Sequence, residues 1–346
     1  MIRRPPRSTR KESSAASDVY KRQQISSHNE FEHEKVYYYE DHKSGLKSLI
    51  AIHDSTEGPA IGGCRFRTYD SFESGLNDVL RLSKGMTHKN NIAQVPFGGG
   101  KGIIFKEGKK SNEMMKSYAD FLNLLEGKYI SAEDIGISLK DIRFIKQHTE
   151  YVFDNVDPGP YTAKGIFYAI KRAISFSLSE SLVGKKIAIQ GAGSVGSKLA
   201  DHLSKAGAIV YISDIDNSKL KIISDPNITI VDNAFEMQCD VFSPCAVGAI
   251  FSRSSIENLN CKIIAGGANN QLLNESVADD LHAKGITYIP DILINSGGVI
   301  GLTKDIMGRN EEQAESELMN IAIRVEEAMA IAKDQSMSIQ AALKLN

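Results

Sequence analysis

The spacing of apolar positions changes near residue 160, and that change divides the chain into two halves of different build. Between residues 24 and about 152 the pattern is mixed. KVYYYE (35–40) and KSLIAIHD (47–54) carry the aromatic and β-branched side chains of strands. A helical period runs from Glu73 to about Lys89, with Leu76, Val79, Leu80, Ser83 and Met86 on one face. IAQVPF (92–97) and GIIF (102–105) read as two strands around a glycine cluster. A helix at about 112–126 and a strand at YISAED (129–134) follow. From about residue 162 the runs KKIAIQG, AIVYISD, ITIVD, CDVFSPC, KIIAGGA and ITYIPD alternate with helix or loop. Such alternation predicts a parallel, doubly wound sheet with right-handed crossovers. DPGP (157–160) reads as a turn and hinge. A polar-faced helix from Asn310 to about Asp334 is expected to return the chain to the first domain.

The fold class expected is therefore α/β with two domains. The first covers 24–152 plus about 330–346 and holds a mixed sheet; the second covers 153–329 and is a Rossmann domain. A length of 346 residues is enough for two cores. With 42% hydrophobic and 24% charged residues, a wholly disordered chain is excluded. No apolar run approaches the ~18–20 residues of a membrane-spanning helix. A formal net charge of −2 supplies no basic face for nucleic acid. Cys64, Cys239, Cys245 and Cys261 form no CxxC pair, and no HExxH occurs, so neither a disulfide framework nor a metal site is expected. A reducing, cytoplasmic compartment fits this cysteine usage.

Residues 1–23 differ from the rest. They hold seven Lys/Arg against two Asp/Glu, lack the apolar core of a secretory signal, and show no periodic pattern. They read as a non-native or disordered leader outside the fold. The far end, AALKLN, stops within a helical pattern without a Gly or Asn cap, so both ends are expected to be incomplete.

The clearest local chemistry is GAGSVG, comprising Gly191, Ala192, Gly193, Ser194, Val195 and Gly196. A bare GxGxxG carries little weight, but this one follows a strand and opens a helix. Gly191 permits the tight turn, Gly193 admits a pyrophosphate to the backbone, and Gly196 allows close helix–strand packing. The helix N-terminus then offers unpaired N–H groups to the phosphates. Asp214 ends the next strand, placed to accept hydrogen bonds from ribose hydroxyls and to repel a 2′-phosphate. With no Lys or Arg following it before Lys219, the expected cofactor is NAD.

Two lysines and a carboxylate complete the candidate set. Lys84, judged by helix position alone, is a solvated surface charge. Lys101, in PFGGGKGIIF, sits between apolar runs beside three glycines that remove crowding side chains. That setting predicts a desolvated amine, driven further toward the neutral form by a second nearby ammonium and able to act as a base. Asp134, alone, reads as a helix cap more readily than as a catalyst.

TEGPAIGG (56–63), LRLSKGMTHKN (80–90), PFGGGKG (96–102), SAEDIG (131–136), CDVFSPCAVGA (239–249), AGGANNQL (265–272) and PDILINSGGVI (290–300) together resemble the Glu/Leu/Phe/Val dehydrogenase family, with the leucine branch nearest. The likeness spans about residues 29–342, in order and with family spacing. It implies oxidative deamination of an L-amino acid with NAD, in a cleft between the first, substrate and oligomerisation domain and the Rossmann domain.

By that resemblance Lys84 binds the substrate carboxylate with Asn270 assisting, Lys101 activates water, and Asp134 exchanges protons with the amino group. Thr162, Cys245 and Ala246 line the nicotinamide side, with Asn269 nearby. Ile61, Ala132, Val299 and Leu302 match the family's side-chain pocket. All four are aliphatic, so a glutamate substrate is not expected, while leucine, valine and isoleucine are. Leu302, Gly196 and Asp157 depart from the residues common in the leucine branch. Other readings are a phenylalanine dehydrogenase and a non-catalytic NAD-binding sensor; retention of Lys84, Lys101 and Asp134 argues against the sensor. The resemblance also implies a homo-oligomer, such as an octamer, formed through the first domain.

Overall fold

A computed structural model of the chain describes the backbone of residues 20–25 and residues 32–154 and 156–345. The chain divides into two compact units, Met1–Thr87 with Phe97–Asp154, and His88–Pro96 with Asn155–Asn346.

The first unit is a mixed sheet of β1 (Tyr20–Ile25), β2 (Lys35–Asp41), β3 (Leu46–Asp54), β4 (Ala60–Arg67), β5 (Gly98–Phe105) and β6 (Tyr129–Ala132), in the order β1-β2-β3-β5-β4-β6. β4 runs parallel to both β5 and β6, and the remaining pairs are antiparallel. Helices α1 (Phe72–Ile92), α2 (Asn112–Leu124) and α3 (Leu139–Lys146) complete it. Strand alternation sorts the apolar side chains onto two faces. One buries Leu49, Ala51 and Ile103 beneath Leu76, Val79 and Leu80 of α1. The other buries Tyr39, Ile50, Cys64 and Ile104 with Tyr118, Phe121 and Leu122 of α2 and Ile142 of α3. Each such side chain contributes roughly 1.5–3 kcal/mol on leaving water.

Four features differ from the sequence expectation. Tyr20–Ile25 pairs antiparallel with β2, so the expected leader ends inside the sheet; residues 1–19 lie outside the described residues. Residues 92–97 do not form a strand. α1 continues to Ile92, the chain reverses through Gln94 at φ 53°, and the glycines themselves lie within β5. They do so because no side chain fits: a Cβ on Gly99 would lie 2.1 Å from the Thr87 backbone nitrogen. β4 is unannounced, its Gly62-Gly63 pair and inward Arg65 breaking the apolar alternation. α3 is short and is started by a capping box in which Ser138 and Asp141 bond each other's backbone N–H.

The second unit is an all-parallel sheet of β7 (Lys186–Gln190), β8 (Ile209–Ser213), β9 (Ile228–Ile230), β10 (Val241–Pro244), β11 (Ile263–Ile264) and β12 (Thr287–Tyr288), in the order β12-β11-β10-β7-β8-β9. All six expected runs are strands. The order reverses between β7 and β10, which is where doubly wound sheets bind ligands. The helices are α4 (Pro158–Leu178), α5 (Ser194–Lys205), α6 (Asn217–Leu220), α7 (Val277–Ala283), α8 (Asp291–Ile294), α9 (Gly297–Thr303), α10 (Glu311–Asp334) and α11 (Ile339–Ala342).

DPGP is a helix start rather than a free turn. Asp157 caps α4 by accepting from the Gly159 N–H at 2.8 Å, and Pro158 occupies the first helical position, where no donor is needed. The C-terminal segment is a second correction, since residues 330–345 belong to this unit and not to the first. α10 lies along α4, pairing Arg172 with Glu326 at 2.7 Å and Lys164 with Glu315. A Cβ on Gly165 would lie 2.7 Å from Ile321 Cδ1, so small residues on α4 admit the α10 stripe of Leu318, Ile321 and Val325. Ser338, ahead of α11, donates to Asp279 at 2.6 Å. Among the described residues no helix is long and apolar enough to cross a membrane.

Candidate active site

In the first unit the strand register assembles the site. Ile61 pairs with Gly99 and Cys64 with Gly102, which sets Gly63 level with Lys101, and Gly63 pairs with Ala132. Residues level with one another across neighbouring strands share a face. Ile61, Gly63 and Arg65 of β4, Lys101 of β5 and Ala132 of β6 therefore look the same way. Asp134, two residues past Ala132, joins them. Lys101 is 6% exposed and its Nζ donates to Asp134 Oδ2 across the top of β4. The crossing requires glycine at 63, because a Cβ there would lie 2.8 Å from Asp134 Cβ and 2.6 Å from the Glu133 carbonyl oxygen.

Arg65 Nε donates to the same Asp134 oxygen at 3.0 Å, while the Ile135 N–H donates to Oδ1 at 2.7 Å. Burial alone pushes the Asp134 carboxyl up, but the Lys101 ammonium and the Arg65 guanidinium outweigh it and hold the group well below the usual carboxylate range. The hydrogen-bond partner of Lys101 is thus a carboxylate. Lys84 lies half-buried on α1, one turn before Thr87, whose backbone closes over Gly99.

In the second unit the glycine loop follows β7. Gly191 is at φ 106°, and a Cβ there would lie 2.9 Å from Ala246. The loops after β7 and β10, carrying Gly191 and Cys245-Ala246, thus meet at the sheet's reversal point. A Cβ on Gly196 would lie 1.9 Å from the Gly191 carbonyl oxygen, whereas one on Gly193 meets nothing within 4 Å. Gly196 is therefore a packing glycine, and Gly193 leaves the loop's outer edge open, as a pyrophosphate requires. Asp214 Oδ2 accepts from the Ala192 N–H at 2.8 Å and Oδ1 from the Asp216 N–H at 2.9 Å. Burial raises the group, and these backbone bonds carry it below its ordinary value. Lys219 Nζ approaches Asp214 at 3.5 Å, so the lysine treated as remote in sequence is brought to the carboxylate. Oδ1 keeps lone-pair capacity for a ribose hydroxyl.

Thr162 Oγ1 donates to the Pro158 carbonyl at 2.9 Å, and a Cβ on Gly298 would lie 2.7 Å from that hydroxyl, so α9 starts against Thr162. Asn269 Oδ1 accepts from Asn295 Nδ2 at 2.9 Å. Asn270 stands at φ 52°, and its N–H donates to the half-buried Asp291 carboxylate at 2.8 Å. Val299 is buried and Leu302 half-buried on α9. The predicted set therefore falls into two groups. Lys84, Lys101, Asp134, Ile61 and Ala132 belong to the first unit, and the loop, Asp214, Thr162, Cys245, Ala246, Asn269, Asn270, Val299 and Leu302 to the second.

Sequence reasoning missed Arg65, Asp291 and Asn295. Arg65 had a usable signal, an arginine two residues past a glycine and set between Cys64 and Phe66. Asp291 and Asn295 had none, because their partners are set by the tertiary fold.

Residues 33–151 match the family model described as Glu/Leu/Phe/Val dehydrogenase, dimerisation domain, and residues 159–219 and 213–342 match Glutamate/Leucine/Phenylalanine/Valine dehydrogenase. The chain is 39% identical to leucine dehydrogenase from Geobacillus stearothermophilus, over 88% of this chain and 86% of that one. It is also 39% identical to phenylalanine dehydrogenase from Lysinibacillus sphaericus, covering 81% and 78%. Among solved structures, L-tryptophan dehydrogenase from Nostoc punctiforme superposes with a TM-score of 0.77 at 37% identity, covering 91% of this chain and 94% of that one.

Proposed function

The chain belongs to the Glu/Leu/Phe/Val dehydrogenase family and is an amino-acid dehydrogenase with NAD as its cofactor, and from that premise we propose that it oxidatively deaminates L-leucine and other branched-chain aliphatic L-amino acids, reversibly, to 2-oxo acids and ammonia. The observation that carries this reading is the buried contact between Lys101 Nζ and Asp134 Oδ2, which lets one proton pass between a base and a carboxylate.

NAD, held by the glycine loop and Asp214, would supply the acceptor for the hydride that leaves the substrate Cα. Lys84 holds the substrate carboxylate with Asn270, which is mainly a matter of orientation. Lys101 activates the water that attacks the imine carbon. Asp134 moves the proton that lets ammonia depart. Gly191–Gly196 and Asp214 hold the cofactor's phosphates and ribose, Thr162, Cys245, Ala246 and Asn269 its nicotinamide end. The amine and carboxylate belong to the first unit and the cofactor loop to the second.

Ile61 and Ala132 present apolar surface on the face that carries Lys101, and Val299 and Leu302 supply aliphatic surface from α9. Uncharged surfaces of this kind discriminate by size, at ~1–3 kcal/mol per methylene. NADH production at alkaline pH from L-leucine, L-valine, L-isoleucine, L-phenylalanine, L-tryptophan and L-glutamate tests the reading. Highest kcat/KM is expected for a branched-chain substrate. A clear preference for phenylalanine or tryptophan overturns the pocket assignment.

Four cysteines without a CxxC pair in 346 residues suit a reducing, cytoplasmic compartment. The matched dimerisation domain supports a homo-oligomer, for which light scattering on the eluting protein supplies the number of copies.

A further inference from the structure

We propose that Arg65 is a positioning residue for the reacting pair: braced from behind by Asp78 and Tyr69, it fixes the Asp134 carboxylate against Lys101 and sets how tightly that pair holds its proton. The proposal rests on the reading of Lys101 and Asp134 as the reacting groups.

The arginine is held at two points. Its Nε meets Asp134 Oδ2 at 3.0 Å and its Nη1 meets Asp78 Oδ2 at 3.2 Å, with only 8% of its side chain exposed. Tyr69 donates to that same Asp78 oxygen at 2.9 Å, and Arg81 Nη2 reaches Asp78 Oδ1 at 3.2 Å from solvent. A guanidinium can bridge two carboxylates lying in different directions because its donors form a rigid planar fork; a lysine has a single ammonium and cannot. Asp134 Oδ2 thereby receives two cationic donors from one side, while the Ile135 N–H fixes the other oxygen. The carboxylate has no freedom to rotate away from Lys101.

The charges form a chain of Lys101, Asp134, Arg65 and Asp78 with alternating sign. Glu133 adjoins Asp134 in sequence, and Lys84 lies further along the helix that carries Asp78. On the opposite face of the sheet, Cys64 and Tyr129 are buried; burial pushes the Cys64 thiol up to about 12 and raises the Tyr129 phenol well above its usual value, so both are neutral at working pH. Arg65 itself is raised, the attraction of Asp134 and Asp78 exceeding the effect of burial. Removing its charge makes the Lys101–Asp134 pair hold its proton more tightly, whichever of the two carries it. Removing Asp78 leaves the Arg65 charge undivided, and the pair then holds its proton less tightly.

The test is the pH dependence of kcat/KM for L-leucine with NAD in the full-length enzyme, alongside a carbon-detected NMR titration of the Asp134 carboxyl that does not depend on turnover. In Arg65→Gln the acidic limb and the Asp134 titration move up by about one pH unit, and kcat falls roughly 10- to 100-fold while KM for leucine changes little. Arg65→Lys restores the limb but not kcat. Asp78→Asn moves the limb down. If Arg65→Gln does not fold, the sign of the Asp78→Asn shift carries the test. A limb and titration that stay at their wild-type positions overturn the proposal, however much activity or stability is lost, because a merely structural arginine changes the amount of active enzyme and not its pH profile. A wild-type enzyme that oxidises no amino acid defeats the functional reading instead, and the NMR titration still decides the role of Arg65.

Discussion

The Ser194 hydroxyl donates to the Asp157 carboxylate at 3.1 Å, which places an acidic side chain at the head of α5, beside the glycine loop proposed to hold the cofactor's phosphates. Asp157 is committed there twice, since it also caps α4 through the Gly159 N–H at 2.8 Å. A carboxylate next to a phosphate site opposes the anion that the helix terminus attracts, by about 0.3–1 kcal/mol. Asp157→Asn keeps the capping oxygen and removes the charge. It is expected to tighten NADH binding by about 2- to 5-fold, with the gain shrinking as salt is added. Fluorescence titration of NADH at two ionic strengths measures it; unchanged or weaker binding contradicts the assignment.

Gly63 is expected to tolerate no side chain. In Gly63→Ala the new methyl group meets the Glu133 carbonyl oxygen and Asp134 Cβ, both within 2.8 Å, so the β4–β6 edge must shift and carry Asp134 with it. Overpacking of this kind costs about 1–3 kcal/mol. A urea melt reads that loss, and a fall in kcat larger than any fall in folded fraction reads the displacement of Asp134 from Lys101.

The folded-state titration of Asp134 has a stability consequence with a defined sign. Its carboxyl titrates well below an unfolded aspartate, which sits near ~3.9. A lowered folded value means that the contribution is complete above the unfolded value and is lost as pH falls through the folded one. Asp134→Asn leaves Lys101 and Arg65 without their shared counter-charge and is expected to cost about 3–5 kcal/mol at neutral pH. The gap between wild type and variant in urea unfolding stays constant from about pH 8 to 5 and narrows only below about 4. A gap that widens on acidification contradicts the ion-pair description.

Much of this arrangement is readable in one dimension, for a physical reason. Each strand of the second unit lies in a short run rich in β-branched residues, and the GAGSVG loop, its strand and its helix are all local, so spacing alone reveals them. Lys101 stands out as an amine in unusual surroundings, whereas Asp134 alone reads as a helix cap. Their pairing does not stand out, because it depends on the register that sets Gly63 between them. Arg65 is 69 residues from Asp134 in sequence and is joined to it only by β4, a strand whose glycines hide its period. β5 is obscured in the same way: its three glycines read as a cluster between two strands until the close approach of Thr87 and Asp54 shows why nothing larger fits. The C-terminal helix α10 has a clear stripe, but a stripe does not say which surface it covers. Small residues on α4 decide that.

Lys101→Ala probes the central assignment most directly. With L-leucine and NAD at alkaline pH, the initial rate of NADH formation is expected to fall by about 100- to 10,000-fold, the span that a positioned acid–base group contributes, while NADH binding in the second unit is retained. Undiminished deamination by a folded Lys101→Ala enzyme would show that the amine buried against Asp134 is not the base.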